Sequence, residues 1–471
     1  MSATSYLLER AWVDGAVRDD VLVEIEDGIF TSVGVVDHSP RLSAGALADK
    51  HRSTRPAGDS VRIPGLTLPG LANCHSHAFH RALRGRTQRD RGTFWTWREQ
   101  MYAVAATLDP DTYFALARAT YREMAAAGVT AVGEFHYLHH QPDGTPYDDP
   151  NAMGHALVEA AREAGIRIAL LDTCYLSSGF GKPVEGVQAR YSDGDAEAWA
   201  RRVGDLSGAD GVVVGAAIHS VRAVPPQQMS TVAEWARQRP DAGARGGHPT
   251  TGVPLHVHLS EQVAENDACA AAYGLTPTRL LADHGVLGRT TSAVHATHLT
   301  DEDVRLLGES GTHSCFCPTT ERDLGDGIGP SRALHDAGSP LTLGSDSHAV
   351  IDLFEEMRAV ELDERLATRQ RGHWRAAELL GAATVTGHHS LGFGAAGEIR
   401  QGLRADLVTL GTSSVRTAGT GADEATAVFA AAAEDVTQVM VDGRVVVGHG
   451  DRADIGRELD AAIDAIWKGL A

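Results

Sequence analysis

His75 and His77 lie two positions apart just after the apolar run at 66–71, and His80 follows them. Alternate residues of a strand project to the same side, so an H-x-H pair at a strand end aims two imidazoles at one point. That geometry suits a divalent metal, for which imidazole is a common ligand. For this motif alone, a hydrogen-bonded pair of loop histidines is the competing reading. Similar groups end other apolar runs. His256 and His258 close one, with Glu261 close behind. His295 lies within Ala293-Val294-His295-Ala296, and Asp346 follows Leu341-Thr342-Leu343-Gly344. Ionisable groups at four strand ends favour a metal site over isolated, satisfied core polar residues.

The elements that must carry these groups can be read from the pattern. Asp109-Pro110 starts a helix that runs to Ala127, with Gly128 as its stop. A strand follows at 129–133, a helix at 151–164 closed by Gly165, and a strand at 166–171. Further strand-like segments recur at 212–218, 254–259, 292–296, 311–316 and 340–344, many separated by helical patterns. Alternating β and α over this length predicts a parallel sheet closed as a (β/α)8 TIM-like barrel, whose active site sits at the C-terminal strand ends. An open doubly wound sheet is the competitor, and no Gly-rich phosphate fingerprint follows any strand to support it. Both chain ends carry period-two alternation around Asp-Gly, at Asp27-Gly28 and Asp442-Gly443, the signature of hairpins. The predicted organisation is a β-sandwich domain from 1–66 and 397–471, enclosing a barrel at 67–396. The polar segment 37–60 is expected to be a surface loop, and 453–468 an amphipathic helix packed on the barrel or a sister subunit.

With 471 residues there is ample chain for two cores, and a net charge of −20 disfavours nucleic acid and anionic membranes as partners. The lysines are only Lys50, Lys182 and Lys468, so nearly all cations are arginine, which suits carboxylate recognition. Five scattered cysteines do not make a disulfide framework, and no signal peptide or membrane-length apolar stretch is seen. The expected setting is the cytoplasm and the expected assembly a homodimer. Cys315 and Cys317 read as small buried hydrophobes, and His136, His139 and His140 as solvated loop histidines.

The set His75-Ser76-His77, His256-Val257-His258-Leu259-Ser260-Glu261, His295 and Ser345-Asp346 resembles the amidohydrolase superfamily in order and strand placement. HSHAFHRAL (75–83), FWTWREQMY (94–102), HSVRAV (219–224), HVHLSEQ (256–262) and TTERDLGDGI (319–328) are similar to its formimidoylglutamate deiminase subgroup. The resemblance implies one zinc ion, with iron or manganese as alternatives, held by His75, His77, His258 and Asp346. No lysine lies in a core strand to bridge a second metal. It implies Glu261 and His295 as an acid–base pair, with Asp346 accepting a proton. Arg98, Tyr137, His219 and Arg222 would hold the substrate, with His80 where the subgroup carries glutamine. Trp95 and Trp97 would wall the pocket, and Glu321 and Asp326 would lie near the amidine.

The implied reaction is hydrolytic deimination of N-formimidoyl-L-glutamate, a small dicarboxylate of histidine degradation, to N-formyl-L-glutamate and ammonia. Two arginines near separate strand ends fit two carboxylates through bidentate pairing. A deaminase acting on a cyclic amidine or purine-like ring is the first rival, and it would want aromatic stacking with few arginines. A non-catalytic barrel scaffold is the second, and such a protein tends to lose ligands that are all present here.

Overall fold

A computed structural model describes residues 4–36, 52–53, 60–89, 91–239, 252–448 and 450–470. Most of the predicted 37–60 loop lies outside the described residues. Among the described residues, sixteen strands form two eight-stranded sheets. One sheet comes from both chain ends. It contains β1 (Thr4–Val13), β2 (Ala16–Glu26), β3 (Ile29–Val36), β4 (Arg52–Ser53) and β5 (Val61–Pro69), then β14 (Leu407–Leu410), β15 (Val436–Val441) and β16 (Arg444–Val447). Its strands are hydrogen-bonded in the continuous order β16-β15-β14-β5-β1-β2-β3-β4. Both Asp-Gly turns are present. Asp27 and Gly28 have φ of 49° and 81°, and Asp442 and Gly443 have 47° and 72°, the left-handed pair a tight hairpin needs. Apolar residues buried along β1, β2 and β3 give this sheet its own core around Leu8, Val21, Val23 and Phe30.

The other sheet is the barrel. It runs β6 (Leu71–Ser76), β7 (Val129–His136), β8 (Arg167–Cys174), β9 (Val212–Ser220), β10 (Leu255–Leu259), β11 (Thr291–His295), β12 (His313–Phe316) and β13 (Leu341–Leu343), each parallel to its neighbours. A parallel bridge between Ser76 and Asp346 brings the last strand back to the first. Gly344 permits this closure, because a Cβ there would lie 2.7 Å from His75 Cβ and 2.8 Å from its carbonyl oxygen.

The helix Pro110–Ala126 is capped by the Asp109 carboxylate, which accepts from Thr112 N–H at 2.8 Å. The helix Ala152–Ala164 ends on left-handed Gly165. The C-terminal helix Arg452–Leu470 buries Ile455, Leu459 and Ile466. It lies on the barrel, where Trp467 Nε1 donates to Ala82 O at 2.9 Å and Arg122 pairs with Glu458, so its apolar stripe is covered within the chain. No helix among the described residues is long and apolar enough to cross a membrane.

Candidate metal and substrate site

His75, His77, His258 and Asp346 meet at the C-terminal mouth of the barrel. One ligand atom from each lies within 4.8 Å of all the others. His75 Nε2 is 3.0 Å from His258 Nε2, and Asp346 Oδ1 is 3.4 Å from His75 Nε2 and 3.3 Å from His77 Nε2. The backbone decides two tautomers. His77 Nδ1 faces Phe135 O at 3.0 Å and His258 Nδ1 faces His219 O at 2.9 Å. A carbonyl accepts only from N–H, so in the neutral form of each ring Nε2 carries a bare lone pair. The His77 lone pair then points at a carboxylate oxygen in a buried site. Two acceptors facing each other without a cation repel, so the donor set fits a divalent metal, with carbonyls orienting the imidazoles from behind. Burial lowers the pKa of His75 to about 4 and that of His258 well below the usual imidazole value, which keeps both neutral and able to ligate.

Glu261, His295 and Asp346 form a second layer of chemistry beside this cluster. His295 Nε2 is 3.9 Å from Glu261 Oε1 and 3.9 Å from Asp346 Oδ2, while its Nδ1 faces Glu321 Oε1 at 3.4 Å. Burial opposes protonation of His295, but Glu261, Glu321 and Asp346 outweigh it and hold its pKa well above the ordinary value. His295 and Asp346 have φ of 70° and 40°. Left-handed backbone at non-glycine residues costs about 1–3 kcal/mol and persists where surrounding contacts impose it. Both residues sit at strand ends, where the chain leaves the sheet and turns these side chains into the mouth.

An open cavity lies above the cluster. His80, Arg98, Tyr137, His219 and Arg222 all line it together with Glu261, His295 and Asp346. His80 Nε2 lies 3.1 Å from Tyr137 OH, and burial drives its pKa well below normal, so it presents a neutral ring. Arg98 and Arg222 also line a wider outer chamber, so they stand where the two spaces join. Arg222 Nε is 3.7 Å from the buried Glu265 carboxylate.

Several expectations need correction. Trp97 lines the cavity, but Trp95 is 57% exposed and stacks its ring on the Arg98 guanidinium, facing the outer chamber instead. The two sit in the helix Phe94–Thr107, where residues two apart face different ways. Asp326 is buried and bonded to Gln262, and Glu321 acts on His295 and on Cys317 N–H, so neither lines the cavity. His136, His139 and His140 are buried, not solvated: His136 ends β7 itself, and the chain after it folds under the segment carrying Arg190, whose carbonyl accepts from His139 and His140 N–H. Cys315 and Cys317 are buried and free, as read from the sequence.

Other cavity residues were missed. Tyr102 OH accepts from Arg98 Nε at 2.7 Å, and Gln188 Nε2 donates to both Tyr102 OH and Tyr175 OH, at 3.0 and 3.1 Å. Tyr102 closes the FWTWREQMY stretch one turn after Arg98, and that i, i+4 spacing was the available signal. Tyr175 and Tyr191 carried none, since their place depends on two remote loops.

The Amidohydrolase family model matches residues 66–446. The chain is 35% identical over 445 residues to the formimidoylglutamate deiminase of Pseudomonas aeruginosa, covering 91% of this chain and 95% of that protein. It is 28% identical over 462 residues to an 8-oxoguanine deaminase of the same organism, covering 95% and 96%. A crystal structure of an amidohydrolase from Brucella melitensis superposes with a TM-score of 0.84 at 30% identity, covering 98% of this chain and all of that one. Barrel, ligand cluster and relatives agree: the chain belongs to the amidohydrolase family and is a hydrolase acting on C–N bonds.

Proposed function

We propose that this protein hydrolyses N-formimidoyl-L-glutamate to N-formyl-L-glutamate and ammonia, using one zinc ion held by His75, His77, His258 and Asp346. The supporting observation is the polarity of the cavity. Its deep end gathers the Glu261 and Asp346 carboxylates around His295, and its outer end carries Arg98 and Arg222. A substrate with a basic amidine at one end and two carboxylates at the other complements that gradient. A neutral purine ring does not need paired arginines. The 35% identical deiminase supports the same choice.

A bound zinc ion would lower the pKa of water to about 7 and so make a nucleophile available near neutrality. The rest falls to side chains. Arg98 and Arg222 clamp the carboxylates and place the amidine carbon near the cluster, while Tyr137 and Trp97 wall the space around it. Asp346 Oδ2 is placed to take a proton from the attacking water, and His295 to stabilise charge developing on the amidine carbon's substituents. Glu261 carries the proton to the departing nitrogen. The new C–O bond becomes the formyl carbonyl, the C–N bond to the terminal nitrogen breaks, and both water protons leave on ammonia. General acid–base help of this kind contributes ~10²–10⁴-fold. We place this activity in the cytosol, where all five cysteines, free and buried, would stay reduced.

The test is ammonia release by zinc-loaded protein. N-formimidoyl-L-glutamate should be turned over, and analogues lacking either carboxylate should lose about 10–100-fold in kcat/KM, the worth of one charged hydrogen-bonded contact. Faster release from 8-oxoguanine would replace this reading with the purine one. Arg222→Met should raise KM for the dicarboxylate by a similar factor without altering metal content. Unchanged kinetics in that variant would take Arg222 out of substrate binding.

A further inference from the structure

We propose that a chain of buried hydrogen bonds across the closing seam of the barrel, Asn73–Ser345–His348–Ser76–Glu134, positions three of the four metal ligands before any metal binds. The inference rests on the reading of His75, His77, His258 and Asp346 as metal ligands. All five residues of the chain are buried. Asn73 Nδ2 donates to Ser345 Oγ at 2.7 Å, and Asn73 Oδ1 accepts from Ser345 N–H at 2.9 Å. Ser345 Oγ is 3.0 Å from His348 Nδ1, and His348 Nε2 is 3.1 Å from Ser76 Oγ. Ser76 Oγ donates to Glu134 Oε2 at 2.7 Å, and the other carboxylate oxygen accepts Ala78 N–H at 2.7 Å.

The chain has a direction. Ser76 spends its only proton on Glu134, so His348 Nε2 must be the N–H that donates to Ser76. His348 Nδ1 is then a lone pair, and Ser345 supplies the proton to it. Ser345 Oγ in turn accepts from Asn73. Every donor has one acceptor, and the string terminates on a carboxylate. A satisfied buried network of this kind fixes geometry, and a half-satisfied one is costly.

Its place in the sequence gives it a purpose. Ser76 lies between His75 and His77. Ser345 and His348 bracket Asp346. Glu134 lies on β7, the strand beside β6. The seam is sealed by Asp346 N–H to His75 O at 3.0 Å and His77 N–H to Asp346 O at 3.3 Å. Asp346 and His348 are both left-handed, with φ of 40° and 57°, and Arg84 Nε holds the His348 carbonyl at 2.5 Å. Strained backbone of this sort survives only where contacts impose it. His258 stands apart: its strand is β10, and its Nδ1 bonds the His219 carbonyl. The site is thus a preassembled group of His75, His77 and Asp346, completed by a fourth ligand from another wall.

The test measures zinc affinity by chelator competition and the melting temperature of the zinc-free protein. Glu134→Gln keeps the shape but puts an NH2 group where either Ser76 or Ala78 already donates. Ser76→Ala cuts the chain in the middle with the smallest change of volume, and guards against misfolding in the first variant. Asp172→Asn, in a buried ion pair between β8 and the helix Ala196–Gly204, is the stability control. Zinc affinity should fall about 10–100-fold in both seam variants, as for lost outer partners of metal ligands, and no further in the double variant. The control should melt earlier with zinc affinity unchanged. Seam variants that melt earlier yet bind zinc like the wild type, or losses that simply add in the double variant, would overturn the proposal. Failure of the wild-type protein to bind zinc would instead sink the reading of the ligands themselves.

Discussion

Among the described residues, two clusters in this barrel gather at least two buried imidazoles around an aspartate. One is His75, His77 and His258 with Asp346; the other is His136 and His139 with Asp172. By residue type and proximity both could hold a metal. Their hydrogen bonds separate them. In the first, backbone carbonyls hold the neutral rings of His77 and His258 so that the His77 Nε2 lone pair faces the Asp346 carboxylate and that of His258 faces His75, and a cation between them satisfies all of these groups. In the second, the cation is already part of the chain. Arg202 grips both oxygens of Asp172, at 2.9 and 3.0 Å, and Trp199 Nε1 adds a third donor at 2.9 Å. His139 Nε2 is spent on the Thr173 carbonyl at 2.9 Å. Ligand-type residues in contact do not define a metal site; imidazole nitrogens left without another hydrogen-bond partner and converging with a carboxylate do.

The contrast can be broken most directly by removing each aspartate's charge. Asp346→Asn should reduce metal content from about one per chain to near zero, whereas Asp172→Asn should leave it full, both read by elemental analysis of purified protein. Metal loss from the Asp172 variant would make the second cluster a site after all. Glu261→Gln separates holding metal from using it: metal should stay, and kcat should fall by ~10²–10⁴-fold. Near-normal turnover would refute the proton-carrying role.

Stability should show the reverse order. Asp172→Asn takes from the buried Arg202 one of its two carboxylates and leaves it Asp193, and urea unfolding should show a loss of about 3 kcal/mol. The smallest effect is on pH dependence. Burial acts to raise the Asp172 carboxyl, but Arg202 and nearby imidazoles win and lower it from 3.8 to about 2. A depressed carboxyl contributes stability above its unfolded pKa, and that contribution is lost as pH falls through the folded value. Wild type minus Asp172→Asn should therefore lose about 2 kcal/mol of difference between pH 5 and 2. A difference that stays flat across that window would show that Arg202 does not depress Asp172.

Much of the frame could be read locally. The Asp-Gly turns, the Asp109 cap and Gly165 stop depend on neighbours a few residues away, and the alternation of apolar runs with helical patterns depends on little more. Trp95 and the buried histidines after β7 could not be read this way. Each depends on which way one turn of helix faces, or on a loop dozens of residues distant. Tyr175 and Tyr191 share the cavity only because their loops converge above the barrel.

The residue types and strand-end spacing of His75, His77, His258, Glu261, His295 and Asp346 were set by the sequence alone, because a two-residue repeat fixes which side chains share a face. Which nitrogen of each ring is bare, which aspartate already has its cation, and how the last strand meets the first were decided only in three dimensions. Those properties belong to hydrogen bonds between residues as much as 272 positions apart, and no local pattern encodes them.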